Sequence, residues 1–132
     1  MRTGILGFPQ VGKTALLKIL TAAHAGGVVH GAPHVGVAYV RDARLAELAK
    51  LYQPKKVTYA QLEYLDGPAL VNEPEKDTAA LAHYRQVEAL AHVVRVFRAP
   101  AVAHLLGEVN PARDIASLET ELLLVDLDTA SK

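Results

Sequence analysis

Gly7-Phe8-Pro9-Gln10-Val11-Gly12-Lys13-Thr14 satisfies the pattern G-x-x-x-x-G-K-[ST] at every constrained position. Each constrained residue has a physical task. Gly7 lets the chain turn sharply out of a preceding strand. Four residues then wrap so that their backbone N–H groups face inward as an anion nest. Gly12 has no Cβ to block a phosphate. A helix opening at Lys13 aims its positive end and free N–H groups, through Thr14 and Ala15, at the same point. The Lys13 ammonium can reach outer phosphates, and the Thr14 hydroxyl suits Mg²⁺. By chance the pattern arises in roughly one chain of this length in a few hundred.

The flanking sequence has the context such a loop requires. Thr3–Leu6 reads as a short buried strand, and Lys13–Ala23 has helical spacing through Leu16, Leu17 and Leu20. Ala25–Gly36, with four glycines and Pro33, reads as a loop, and Val37–Val40 as a second strand. Asp42 is placed to cap a helix running to about Leu51. Val57–Leu65 is strand-like and ends at Asp66-Gly67-Pro68. Asn72–Asp77 reads as a polar loop, Thr78–Leu90 as a helix and Ala91–Phe97 as a buried strand. After an irregular stretch, Pro111 opens a last helix to about Asp128. Its apolar stripe, Ile115, Leu118, Leu122 and Val125, is widened by Leu123, Leu124 and Leu127, which predicts packing on two sides or a homodimer through this helix. Strands alternating with helices indicate an α/β domain on a mainly parallel sheet.

Composition excludes several classes. Half of the 132 residues are hydrophobic and a fifth charged, with 14 basic and 14 acidic side chains. That is a globular composition, with no net field to draw in DNA or an anionic membrane. The absence of cysteine removes disulfides, thiolate zinc sites and thiol nucleophiles and fits a cytoplasmic location. The segment before Pro9 is too short for a signal peptide, and no apolar run approaches the roughly 20 residues of a membrane helix. His30 and His34 lie four apart in a Gly/Pro loop, where solvated histidines are the ordinary reading.

Several segments together resemble one family. The loop is similar to the GFPNVGKS or GLPNVGKS of Obg-related GTPases. Pro33-His34-Val35-Gly36-Val37, Asp42-Ala43-Arg44-Leu45 and Gln53-Pro54-Lys55-Lys56 resemble PNTGVV…DPRL…KPxK. Ala91–Phe97 resembles IxHVVRxF, and the run from Val109 to Thr129 resembles VxPxxDIxxxxTELxxADLxT. These are the marks of the YchF, or Obg-like ATPase, family, and the likeness spans nearly the whole chain. It implies a P-loop NTPase three-layer sandwich, here an incomplete G domain over 1–132, with 112–132 starting the helix that leads into the family's coiled-coil insertion. It also implies hydrolysis of GTP or ATP with Mg²⁺, and association with ribosomes. The sequence reads as a short chain or as a piece of a longer gene product.

Departures from the family pattern are concentrated where the γ-phosphate would be sensed. The base-reading NxxE or NKxD motif is absent, so neither GTP/GDP nor ATP/ADP is selected. No Thr or Ser lies between Ala22 and Val57, and His30 falls where the first switch would supply a threonine; imidazole is a poor Mg²⁺ ligand. The family's D-x-A-G-L is Asp66-Gly67-Pro68-Ala69-Leu70. Asp66 is kept for the magnesium shell, while Ala69 replaces the glycine whose N–H meets the γ-phosphate, and Pro68 restricts the turn. Gln10 replaces an asparagine, and Leu70 stands where the family already has an apolar residue. No general base is identified, so the catalytic residues are unknown. Phosphate binding is expected to outlast hydrolysis. The alternative is a pseudo-GTPase interaction module that no longer switches or hydrolyses.

Overall fold

The computed structural model describes residues 1–21 and 33–131. Its elements run β1 (Arg2–Leu6), α1 (Lys13–Leu20), β2 (His34–Val40), α2 (Ala43–Tyr52), β3 (Ala60–Asp66), α3 (Pro74–Ala82), β4 (Ala89–His92) and α4 (Pro111–Ala130). The sheet has the order β2-β3-β1-β4. β1 pairs in parallel with β3 and with β4, and β2 runs antiparallel to β3. The mainly parallel α/β architecture expected from the alternation of strands and helices is the one observed.

β1 is central and buried from Thr3 onward, as a strand covered on both faces must be. Its side chains alternate between two layers. Gly36, opposite Tyr64 on the Thr3 and Ile5 face, lies under α1: a Cβ there would stand 2.5 Å from Thr21 and 3.1 Å from Leu17. Gly4, on the other face, lies under the ring of Tyr84. On that side Leu6, Phe8, Val11, Leu70, Ala80, Leu81, Tyr84 and Leu118 form the core, with Leu122 and Val125 of α4 against it.

Several boundaries differ from the sequence reading, each for a physical reason. β2 begins at His34, inside the expected loop, because Gly36 is a close-approach position under α1. The rest of that loop, 25–32, lies outside the described residues, as does His30. α1 closes at Thr21, whose N–H and hydroxyl both donate to the Leu17 carbonyl. Part of the expected loop 72–77 is instead the first turn of α3, because the Asp77 carboxylate reaches back to the N–H groups of Val71 and Glu73 and caps the helix from within. The helix stops at Ala82, short of Leu90, as the backbone tightens into i→i−3 bonds at His83 and Tyr84. β4 therefore starts two residues early. It ends at His92 because the chain beyond it folds around Arg95, whose guanidinium donates to the carbonyls of Phe97, Ala99, Val102 and Ala103.

α4 is held by one side. Asp114 and Leu118 are buried, whereas Leu123, Leu124 and Leu127 are exposed. The expected two-sided packing is not found among the described residues.

Substituting Gly4 by alanine would put a methyl 2.5 Å from Tyr84 Cδ1 and 3.2 Å from Leu90 Cδ2. Overpacking of this kind costs about 1–3 kcal/mol. Urea unfolding should show the midpoint lowered with an unchanged m-value.

Candidate functional site

The loop 7–12 hangs between the end of β1 and the start of α1, and both its glycines adopt positive φ, +151° at Gly7 and +104° at Gly12. Gly7 has a second constraint: any Cβ would run into the Val93 carbonyl just beyond β4. Phe8 and Val11, variable positions of the motif, are buried in the core and anchor the loop from beneath. Pro9 and Gln10 form its outer turn, with Gln10 in the left-handed region at φ 59°, a conformation that asparagine tolerates better. Gly12 caps α1 by its backbone alone, and no acidic residue occupies the first helical turn. The positive end of α1, with Lys13, Thr14 and the exposed Ala15, is therefore not neutralised by its own helix.

Lys13 is buried and folds its ammonium back onto the loop, donating to the carbonyls of Gly7 and Phe8 at 3.1 Å each. Burial pulls its pKa below the ordinary lysine range, and the nearby Asp66 carboxylate partly offsets this. The parallel register sets Ile5 beside Asp66, so β1 and β3 end together. Consequently the Thr14 hydroxyl donates to Asp66 Oδ2 at 2.6 Å. The two candidate magnesium ligands, 52 residues apart in sequence, are adjacent. A hydroxyl and a carboxylate are hard oxygen donors, the kind Mg²⁺ prefers. Among the described residues no group of three or more His, Cys, Asp or Glu could hold a metal. Two protein oxygens suit Mg²⁺, which keeps waters and takes further oxygens from phosphates.

Beyond Asp66 the chain is tightly held. Gly67 N–H donates to the Tyr84 hydroxyl at 3.1 Å, and that hydroxyl donates to the Ile5 carbonyl at 2.9 Å. Burial pushes the Tyr84 phenol up to about 12, with the Asp66 charge adding to the rise and the Gly67 bond opposing it. Leu70 is fully buried, and its N–H donates to the Gly7 carbonyl at 3.3 Å. Ala69 is half-buried.

Two other constellations are structural. A cavity of about 430 Å³ lined by Arg95, Arg98, His104 and Glu108 lies beyond β4, but Arg95 is already engaged by four carbonyls. His104 accepts the Leu106 N–H at Nδ1, and its Nε2 lies 2.9 Å from Asp114 Oδ2. Arg113 closes the cluster on Asp114 Oδ1. It fastens the 104–106 turn to the start of α4.

No protein-family model matches the chain. Curated proteins do. The ribosome-binding ATPase YchF of Bacillus subtilis is 36% identical over 140 residues, which covers 100% of this chain and 38% of that protein. Its namesake in Escherichia coli O157:H7 is 36% identical over 139 residues, with 99% and 38% covered. The solved structure of the Schizosaccharomyces pombe YchF GTPase matches with a TM-score of 0.68 and 26% identity, over 97% of this chain and 36% of that one. This chain belongs to the YchF family. It spans about 38% of the length of the curated relatives it matches. "Ribosome-binding ATPase" and "GTPase" are what those proteins are called. No helix among the described residues is long and apolar enough to cross a membrane.

In this YchF-family chain the structure brings Gly7, Gly12, Lys13, Thr14 and Asp66 to one point, with Ala69 on the segment that follows. Sequence reasoning missed Tyr84 and Asp77, which hold that segment. Tyr84 was concealed in a continuous helical pattern. Asp77 carried a usable signal, an acidic residue just inside a helix that opens with proline.

The raised Tyr84 pKa has a defined sign. An unfolded tyrosine loses its proton near pH 10, while Tyr84 keeps its own to about 12. Between these values the folded state binds more protons than the unfolded one. Stability therefore falls as pH rises through that window and is complete below it. Unfolding series at alkaline pH should show a shallower decline for Tyr84→Phe than for the parent.

Proposed function

We propose that this chain binds a purine nucleoside di- or triphosphate, GTP/GDP or ATP/ADP, together with Mg²⁺, and hydrolyses it slowly or not at all. The observation that carries the reading is the 2.6 Å approach of the Thr14 hydroxyl to Asp66, beside a loop whose glycines hold positive φ and whose lysine is buried. In this reading the backbone N–H groups of the loop 7–14, Pro9 excepted, and of Ala15 cradle the phosphates. Lys13 exchanges its carbonyl partners for phosphate oxygens. Thr14 and Asp66 hold Mg²⁺, directly and through water. The ion, when bound, neutralises phosphate charge.

Slow turnover follows from the other half of the site. Leu70 is turned into the core, at a position where the family already has an apolar residue, and adds no loss of its own. Ala69 and Pro68 take the place of the family's Gly and Ala. Loss of a single transition-state donor typically costs about 10²–10³ in rate. The same observations favour a second reading, a nucleotide-bound interaction module without turnover. The relatives' names support a ribosome as partner, and such a partner would place the chain in the cytoplasm. A homodimer through α4 is supported by its exposed Leu123, Leu124 and Leu127, and a mass that rises with concentration in light scattering would reveal it.

Titration with fluorescent GDP, GTP, ADP and ATP, with and without Mg²⁺, tests the central claim. Saturable, Mg²⁺-strengthened binding is expected, lost in Lys13→Ala, with the ranking of the four nucleotides giving the base preference. Absence of binding at millimolar nucleotide would refute it. Single-turnover hydrolysis should be slower than in a full-length relative by about two orders of magnitude or more, and equal rates would refute the slow-turnover claim.

A further inference from the structure

The stretch from Gly67 to Glu73 is secured at four of its six backbone donors. Gly67 N–H is bound by the Tyr84 hydroxyl and Leu70 N–H by the Gly7 carbonyl. Val71 and Glu73 donate to the two oxygens of Asp77 at 2.7 and 3.2 Å. Pro68 has no N–H to give. Within this segment, Ala69 and Asn72 are the two residues whose N–H groups have no protein acceptor. Each tether is itself buried: Asp77 is 1% exposed, Tyr84 5% and Leu70 0%. Asp77 and Tyr84 belong to α3 and the turn that ends it, whereas the Gly7 carbonyl belongs to the phosphate loop. Tyr84 spans from the end of α3 to the Ile5 carbonyl of β1, and its ring lies against both Gly4 and Gly67.

A nucleotide switch needs an element with two arrangements, whose balance the γ-phosphate tips by interacting differently with each. Moving residues 67–73 would break four hydrogen bonds, leave buried partners unsatisfied, and withdraw Leu70 from the core. A γ-phosphate offers in return a single acceptor, for the Ala69 N–H. The balance lies with the fixed arrangement.

We propose that residues 67–73 are a static wall of the nucleotide site, with Tyr84 and Asp77 as the positioning residues that keep it from following the γ-phosphate. The proposal rests on the nucleotide-binding reading above for its ligand, though not for the tethers. It assigns this chain a site in which di- and triphosphate leave the protein in the same conformation. Ala69 N–H, presented at a fixed place, is the sole donor of the 67–71 segment available to a third phosphate.

Amide hydrogen exchange resolved by residue tests this on the whole chain, free and with GDP, a non-hydrolysable GTP analogue, and their adenine counterparts. In the free protein, Gly67, Leu70, Val71 and Glu73 should exchange at least about tenfold more slowly than Ala69. Their protection should agree within about threefold between diphosphate and triphosphate analogue. Tyr84→Phe keeps the ring and removes the hydroxyl; it should speed exchange at Gly67 while β1 amides stay as they were. Asp77→Asn should do the same at Val71 and Glu73. A merely destabilised fold would instead raise exchange at all sites together, and that outcome in both variants overturns the positioning roles. Should Tyr84→Phe not fold, Asp77→Asn carries the comparison. Protection at Gly67 and Val71 no greater than at Ala69 overturns the proposal, as does a difference above about tenfold between the diphosphate and triphosphate states. Failure of any nucleotide to bind would appear in the fluorescence titration and refute the nucleotide reading. The free-protein arm would still decide whether the wall is static.

Discussion

The carbonyl oxygen of Gly7 accepts two donors, the Lys13 ammonium and the Leu70 amide. A carbonyl has two lone pairs, and both are used here. One bond closes the phosphate loop on itself, and the other stitches that loop to the segment following β3. The Gly7 Cα lies so close under the Val93 carbonyl that no side chain fits. Three parts of the fold therefore meet at one residue: the loop, the chain after Asp66, and the extension of β4. Displacing Gly7 would disturb all three together, so the site is as rigid as the sheet that carries it.

The register of β1 against β3 complements this joint. A one-residue slip would turn Asp66 to the opposite face of the sheet and break its bond with Thr14. Alternation leaves no intermediate choice: Leu65 goes to the core, and Asp66 goes to the loop. Electrostatically the result is a buried lysine near a buried aspartate, each also engaged by a neutral partner. That arrangement suits a ligand carrying both negative charge and a cation, because the lysine and the aspartate each then exchange a protein contact for one of opposite charge.

Much of this was legible in the sequence. Gly7–Thr14 signalled the loop, and alternating strands and helices signalled the α/β sheet. The likeness to YchF proteins extended along the chain. The readings that failed were those in which a residue's packing overrode its local preference. Gly36 resembles a loop glycine but lies in a strand, because its role is to admit α1. Asn72–Asp77 is polar enough for a loop, yet Asp77 is buried and caps the helix it belongs to. Tyr84 fits a helical period, but its hydroxyl is needed between Ile5 and Gly67, and the helix ends before it. Arg95 reads as a strand residue next to valines and is instead a post around which the chain winds. In each case the deciding partner is distant in sequence, and periodicity cannot report it.

α2 has a different standing from the rest of the fold. It buries none of its residues. Its ends are closed by its own neighbours, Asp42 accepting the Arg44 N–H and Gln53 turning left-handed at φ 44°. The strands on either side, His34–Val40 and Ala60–Asp66, pair along their whole length without it. The helix is thus an outrigger on a long antiparallel hairpin rather than a wall of the core. Its opening is a local event that costs far less than unfolding the sheet.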